Sequence, residues 1–243
     1  MKNFGFIILL CISFFACNKK EKQYEIKDLS GEWVNTKYLN AVRKTKSAKI
    51  SQDACIHSFI RFTNDTALFV YSLHEGISVK ISMLKQNSFI CNFPENIKTK
   101  LYISNDTLFF YENGTKESFI KYDIYANEDM LNARLLNKEI FSGEYTIIDS
   151  LNKKLIFQED GTVTGFWNYK SFFIQYDYID AGCNLDILYL RVEPIDRYEY
   201  TWQFKNDTLL IYKLDCIEYD SINKLCLETK KGKLIYRLLK IKD

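Results

Sequence analysis

The sequence predicts an all-β fold made of two tandem, small antiparallel β-barrels, with one or two short helices in the loops and the linker. Residues 172–178 alternate between two faces, as a half-buried strand requires. Strand-forming stretches flank residues 105–107 and again residues 206–208, both Asn-Asp-Thr, and this arrangement is typical of hairpin turns. Short strands at such spacing favour an antiparallel barrel or sandwich.

An internal repeat predicts that the two barrels are copies of one domain. Four short blocks recur in the same order in both halves, at offsets of 95 to 115 residues. The pairs are 30–33 with 142–145, 59–65 with 155–160, 105–108 with 206–209, and 116–122 with 231–237. A fixed order with changing offsets is expected of a duplication whose loops differ in length. The alternative is convergence, because Asn-Asp-Thr makes a good turn in any strand-rich chain.

The repeat and two helical patterns set the predicted domain organisation. We expect the first β domain at residues 28–124, a helical linker at residues 125–141 and the second β domain at residues 142–243. Residues 128–138 predict the linker helix, because acids occupy the first turn, a Lys the last, and two leucines share one face. Residues 38–46 predict a second helix, whose apolar residues lie on one side.

Residues 1–16 have the features of a secretory signal peptide. A short basic start precedes an apolar run from Phe4 to Ala16, and its 13 residues are too few to cross a hydrocarbon core of ~30 Å. The run ends in Ala16-Cys17, which resembles the lipobox of bacterial lipoproteins, whose Cys is diacylated and becomes the new N-terminus. The resemblance implies that Cys17 carries lipid, that residues 17–27 form a polar tether, and that acyl chains hold the protein to a membrane. The alternative is an ordinary secretory signal with a chance Cys.

Export would bring the remaining cysteines into an oxidising compartment, where they can pair. Five follow Cys17 in the chain: Cys55, Cys91, Cys183, Cys216 and Cys226. Because five is odd, at least one stays unpaired within a monomer. Cys216 and Cys226 flank one loop and are the best candidates for a disulfide.

Composition and motif content exclude several functions. With 33 basic and 31 acidic side chains the formal charge is +2, which is too balanced for a nucleic-acid grip, so we expect no nucleic-acid partner. The chain contains no Gly-x-Ser-x-Gly, His-Glu-x-x-His or phosphate-loop motif. Cys55 and His57 share one face of a predicted strand, but the sequence nominates no further ligands for a metal ion. We therefore predict no catalytic residues, no metal site and no cofactor.

The opening motif of the first half carries a family resemblance. Residues 31–33, Gly-Glu-Trp, resemble the Gly-x-Trp motif of lipocalins and their calycin relatives, and together with the lipobox they resemble the lipocalin-like lipoproteins of Gram-negative bacteria. The resemblance implies eight-stranded up-and-down barrels whose closed ends are plugged by Trp33 and, in the second half, by Tyr145. It also implies that a basic residue of each last strand packs over the plug, for which Lys121 and Arg237 are the candidates. The implied location is the cell envelope of a Gram-negative bacterium, at the outer membrane.

The two halves differ in the loop that, in lipocalin-like folds, covers the barrel mouth. This loop is longer in the first half, and its cations predict a lid that attracts an anionic or amphipathic ligand. The lid residues are Arg43, Lys44, Lys46 and Lys49. A solvated helix face is the alternative.

Two functions follow from these predictions. The first is a membrane-anchored, non-catalytic lipoprotein that binds a small apolar or amphipathic, lipid-like ligand inside a barrel. The second is an envelope interaction, scaffold or immunity-type protein, whose barrels are filled by side chains and whose partner is another envelope protein. An eight-stranded barrel is just wide enough for either interior. An exposed apolar patch on a loop tip, with residues 215–229 as the leading candidate, would favour the second function.

Overall fold

The computed structural model describes residues 22–71, 75–112, 114–123, 131–150, 153–178, 184–193, 196–222 and 225–241. The predicted signal peptide, the predicted lipidation site Cys17 and Cys183 lie outside the described residues. Of the predicted tether, residues 22–27 are described, and they lie on the first barrel, where the Tyr24 N–H donates to the Asn87 side chain at 2.8 Å.

The first eight strands form a closed antiparallel barrel, called barrel 1. They are β1 Gly31–Asn35, β2 His57–Thr63, β3 Thr66–Tyr71, β4 Glu75–Lys85, β5 Ser88–Asn92, β6 Lys98–Ser104, β7 Thr107–Glu112 and β8 Thr115–Tyr122. Each strand pairs with the next, and β8 pairs with β1 to close the circle.

The second eight strands form barrel 2 in the same up-and-down order. They are β9 Gly143–Ile147, β10 Lys154–Phe157, β11 Val163–Thr164, β12 Ser171–Ile174, β13 Leu188–Arg191, β14 Tyr198–Lys205, β15 Thr208–Asp220 and β16 Leu225–Lys240. β16 pairs with β9, and a single bridge between Thr162 and Ser171 spans the seam between β11 and β12. Barrel 2 is therefore nearly closed, and the predicted all-β class with two tandem barrels is confirmed.

Four short α-helices accompany the barrels in the residues that the structure describes. They are α1 Ile26–Leu29, α2 Thr36–Thr45, α3 Ala48–Ser51 and α4 Leu131–Leu136, and α4 continues as one π-helical turn over Asn137–Phe141. α2 and α4 correspond to the two predicted helices, whereas α1 and α3 are single turns of four residues, which are too short to leave a periodic signal. The Asn35 side chain accepts the N–H groups of Lys37 and Tyr38 and so caps α2.

Asparagine supplies the hairpin turns of both barrels. Asn64, Asn87, Asn105 and Asn206 all have positive φ, between 47° and 59°. Asn tolerates this left-handed conformation better than most residues, and the twist of such turns suits the strands that they join. The repeated Asn-Asp-Thr blocks therefore stand in equivalent places, between β6 and β7 in barrel 1 and between β14 and β15 in barrel 2.

Successive residues of β1 and β2 serve two different cores. Trp33 and Ile60 belong to the interior of barrel 1. Their neighbours Val34 and Phe59 belong to a second core that also contains the α2 residue Tyr38 and the interior of barrel 2. Because side chains alternate across a strand, α2 covers the outer wall of barrel 1 and links it to barrel 2.

Candidate functional site

The closed ends of the two barrels repeat one arrangement. By closed end we mean the end at which β1 and β9 begin. The buried Trp33 Nε1–H donates to the Leu29 carbonyl at 2.7 Å, and the buried Tyr145 hydroxyl donates to the Phe141 carbonyl at 2.7 Å. In both barrels the ring therefore donates a hydrogen bond to the backbone carbonyl four residues earlier. This bond satisfies the polar atom of the ring inside an apolar core.

The cation over each plug is a lysine of the last strand. Lys121 pairs with Trp33 across β8 and β1, and its Nζ lies 5.9 Å from the ring centroid. Lys240 pairs with Tyr145 across β16 and β9, and its Nζ lies 5.8 Å from that ring. Arg237, predicted for this place in the second half, instead makes an exposed ion pair with Asp149. The prediction was right for Lys121 and wrong for Arg237, because Lys240 is the residue that β16 holds opposite the plug.

The predicted lid lies between the barrels. Arg43 forms two hydrogen bonds with the Glu139 carboxylate, at 2.8 and 3.0 Å, and the Lys46 Nζ donates to the Glu139 carbonyl. The Lys49 Nζ lies 5.1 Å from the centroid of the Tyr178 ring. Lys44 is exposed. Three of the four cations therefore contact residues beyond barrel 1, and a role in covering a ligand stays a prediction.

Further contacts fix the predicted lid segment to barrel 2. The Lys46 carbonyl accepts the Trp202 Nε1–H at 2.9 Å. The Asp186 carboxylate accepts the Ser47 hydroxyl at 2.5 Å and the Lys49 N–H at 2.9 Å. Burial raises the pKa of Asp186 despite these hydrogen bonds. These contacts make the segment a joint between the two barrels.

Barrel 1 buries a polar cluster at the end opposite Trp33, and no motif in the sequence predicts it. The His57 Nδ1 lies 2.5 Å from one Glu117 oxygen, and the other oxygen accepts from Asn35 at 3.1 Å and from the Ile56 N–H at 3.0 Å. The His57 Nε2 lies 3.7 Å from a Glu112 oxygen. The sequence does not predict the contact between His57 and Glu117, because the two are 60 residues apart and only the closed barrel brings them together.

Large aromatic side chains are buried in both barrels. Large buried rings occupy them: Trp33, Phe62, Phe69, Phe89, Phe110 and Phe119 in barrel 1, and Phe141, Tyr145, Phe157, Phe166 and Phe172 in barrel 2. The Phe141 ring alone lies 5.2 to 6.3 Å from four other aromatic rings. Three cavities of about 320 to 470 Å³ among the described residues are open surface grooves, beside Tyr24, Trp167 and Tyr111 respectively.

The longest hairpin extends beyond barrel 2. β15 pairs with β14 only as far as Lys213, and β16 pairs with β9 only from Leu238 onwards. Residues 214–220 and 225–231 therefore pair with each other, and we call residues 214–231 the stapled hairpin. The disulfide between Cys216 and Cys226, the pair that the sequence nominates, closes it.

The stapled hairpin exposes apolar side chains. Ile217, Tyr219, Ile222 and Leu227 are 52, 60, 89 and 47% exposed. Its base is held by the Thr229 hydroxyl, which donates to the Asn184 side chain at 2.8 Å. Four such side chains within 11 residues form a patch of the kind that marks interaction sites, whereas single exposed apolar residues are ordinary.

The other described cysteines offer no reactive centre. Cys55 and Cys91 are free thiols. Burial raises the pKa of each to about 12, so both stay protonated near neutral pH.

The described part of the chain holds neither a cluster of metal-ligand side chains nor a helix that could span a membrane. No group of three or more His, Cys, Asp or Glu side chains there could hold a metal ion. None of the helices there combines the length and the apolar character that a membrane span requires. Comparison with protein-family models, curated proteins and solved structures finds no match to this chain.

Proposed function

We propose that this chain is a membrane-anchored envelope protein that binds a protein partner through the stapled hairpin. The two barrels serve as a rigid scaffold, and the Cys17 lipid holds the scaffold at the membrane. The observation that carries the proposal is the distribution of apolar surface. Large aromatic side chains are buried in both barrels, while Ile217, Tyr219, Ile222 and Leu227 stay exposed on one hairpin.

The same distribution favours a protein partner over a small ligand. A carrier of a lipid-like molecule needs an apolar cavity that encloses most of the ligand. Here the rings of Phe141, Phe157 and Phe172 contact each other where such a ligand would lie in barrel 2. A hairpin closed by a disulfide loses little conformational freedom when a partner binds, which favours affinity.

Site-specific photo-crosslinking in the native envelope tests this function. A benzophenone amino acid replaces Tyr219 in the stapled hairpin or, as the matched control, Tyr198, which is 47% exposed on barrel 2. We expect a discrete protein adduct from position 219 that disappears when Ile222 is changed to Asp, and no such adduct from position 198. Equal adducts at both positions, or none at position 219, would refute the proposal.

Native mass spectrometry of the mature chain, carrying Cys17→Ser and purified without detergent, addresses the ligand-binding alternative. We expect the mass of the polypeptide alone. A reproducible extra mass that organic solvent removes would instead support a ligand in one of the barrels.

The membrane anchor has its own measurement. Intact mass of the membrane-extracted protein should equal the chain from Cys17 plus acyl groups, and Cys17→Ser should move the protein to the soluble fraction. An unmodified chain starting elsewhere would remove the anchor from the proposal.

A further inference from the structure

The outer wall of barrel 1 carries lysines interleaved with aromatic rings. Lys100, Tyr111 and Lys116 are direct neighbours across β6, β7 and β8, and all three are exposed. In the next row, Tyr102 and Phe109 stack with their centroids 6.4 Å apart. We call these five residues the basic face.

Contacts within the basic face hold it in shape. The Lys116 Nζ lies 4.0 Å from the Phe109 centroid and 5.6 Å from the Tyr111 centroid. A groove of about 470 Å³ runs beside Tyr102 and Tyr111 and is bordered by Leu84. Cations fixed over exposed rings form a surface that favours an acidic, partly apolar partner.

The stapled hairpin carries a pair of exposed glutamates. Glu218 and Glu228 are exposed and face each other across β15 and β16. Like charges in directly opposed positions destabilise a strand pair. Asp215, at the base, is compensated, because Lys230 stands opposite and the Lys213 Nζ lies 3.4 Å away. A cationic partner would relieve the repulsion within this glutamate pair.

We propose that the stapled hairpin of one copy docks on the basic face of a second copy. Glu218 and Glu228 then lie between Lys100 and Lys116. Lys100 and Lys116 are two strands apart, about 10 Å, and their side chains are long enough to close on a glutamate pair about 5 Å wide.

This inference rests on the proposed function, because it names the partner of the same hairpin. Every copy presents one hairpin and one basic face, so the two complementary surfaces are always present in equal number. A shared membrane anchor would also raise their local concentration. A contact between two different surfaces gives a closed pair when it is reciprocal and longer assemblies when it is not.

Sedimentation velocity on the mature chain, carrying Cys17→Ser so that it stays in solution, tests the inference. We expect concentration-dependent self-association that weakens as salt is added, since exposed charges are screened. Lys100→Glu with Lys116→Glu should weaken it at least about tenfold, and Glu218→Lys with Glu228→Lys should do the same. The matched control is Lys153→Glu with Lys205→Glu, two exposed lysines of barrel 2, and should leave association unchanged.

Mixing the two reversal variants gives the decisive result. Each variant alone carries like charges on both surfaces, whereas the mixture brings opposite charges together in both directions. We expect association in the mixture and little in either variant alone. Circular dichroism of each variant should match the unmodified chain, so that loss of association is not loss of fold.

Several outcomes would overturn the inference. They are a protein that stays monomeric at all concentrations, association that survives both reversals, or a mixture that fails to associate. Binding of the unmodified chain to phosphatidylglycerol vesicles, lost in Lys100→Glu with Lys116→Glu and without self-association, would assign the basic face to lipid instead. A Tyr219 crosslink to a different protein, with no self-association, would overturn this inference and leave the proposed function standing.

Discussion

Barrel 1 and barrel 2 share their closed ends and differ elsewhere. Each closed end has a ring bonded to the carbonyl four residues earlier, with a lysine held above it. At its opposite end barrel 1 contains the buried polar cluster of His57 and Glu117. Barrel 2 differs in having a seam joined by a single bridge and a long stapled hairpin. The comparison indicates that the closed end is what the two barrels have in common, and that the rest of each barrel differs.

The interiors of the two barrels also contain different kinds of buried side chain. Barrel 1 accepts a buried carboxylate because four donors surround it, from Asn35, Ile56 and the backbone and ring of His57. Barrel 2 relies on aromatic rings that meet edge to face, such as Phe157 with Phe172 at 4.9 Å. Barrel 1 should therefore be sensitive to the loss of one polar group and barrel 2 to the loss of volume.

The largest expected effect is the removal of the buried carboxylate of barrel 1. Glu117→Leu removes the buried carboxylate that contacts the His57 ring, the Asn35 side chain and the Ile56 N–H. We expect a loss of about 3–5 kcal/mol in the free energy of unfolding, because breaking a buried charged network costs the desolvation of every partner. Urea unfolding followed by circular dichroism measures it.

Glu117→Gln is the matched control for that change. It keeps one carbonyl oxygen as an acceptor and should cost clearly less than Glu117→Leu. Equal unfolding free energies for Glu117→Leu and the unmodified chain would contradict the assignment of Glu117 as the centre of the cluster. Hydrogen exchange should place the loss of protection in barrel 1, where β2 and β8 meet the cluster.

An intermediate effect is expected at the joint between the barrels. The Glu139 side chain is 12% exposed and accepts hydrogen bonds from Arg43 and from the Tyr122 hydroxyl. Burial raises the pKa of Glu139, but the hydrogen bonds from Arg43 and Tyr122 outweigh it, so the net pKa lies below the usual carboxyl value. Glu139→Gln should cost about 1–3 kcal/mol at neutral pH, the range for hydrogen bonds to charged groups.

The lowered pKa fixes the sign of the pH dependence. A carboxyl whose pKa is lower in the folded state contributes its stability above its unfolded pKa and loses it as the pH falls through the folded pKa. The unmodified chain should therefore lose this contribution as the pH falls below the unfolded carboxyl pKa of about 4.3 and through the lower folded pKa, and Glu139→Gln should show a smaller acid slope. Identical slopes in urea unfolding would contradict a charged Glu139 at the joint.

The sequence pattern predicts the two barrels but not the register of every strand pair. Three repeat blocks stand in register, since Gly31 pairs with Phe62 as Gly143 pairs with Phe157, and the Asn-Asp-Thr turns coincide. The fourth block is shifted by four residues, because Lys121 corresponds to Lys240 rather than to a residue near Arg237. Irregular pairing between β15 and β16 adds residues there, and such bulges leave no periodic signal.

The periodicity of the sequence also predicts the apolar face of α2, but not the surface against which that face packs. Tyr38, Leu39 and Val42 share one face, as predicted, and are buried. The same face would fit a barrel mouth or a barrel wall equally well. Only the tertiary contacts, such as the Tyr38 ring 5.9 Å from Phe59 on the outer wall, decide between them.

The smallest expected effect compares the three basic residues of the last strands. Lys121→Met and Lys240→Met each remove a cation over a plug ring together with one hydrogen bond, to the Asp28 and Ser142 carbonyls respectively. We expect each to cost about 0.5–1 kcal/mol in urea unfolding, the range for a partly exposed cation over an aromatic ring. Arg237→Met, which removes only an exposed ion pair with Asp149, should leave the midpoint unchanged within error.

The strand register explains why we expect larger effects at Lys121 and Lys240 than at Arg237. Lys121 and Lys240 stand directly opposite Trp33 and Tyr145, whereas Arg237 lies three residues before Lys240 and so faces the other side of β16. An effect of Arg237→Met as large as that of Lys240→Met would mean that the fourth repeat block aligns as the sequence suggests, with Arg237 over the plug. Equal effects of Lys121→Met and Lys240→Met would show instead that the closed end keeps its energetics as well as its geometry, although one plug is Trp and the other Tyr.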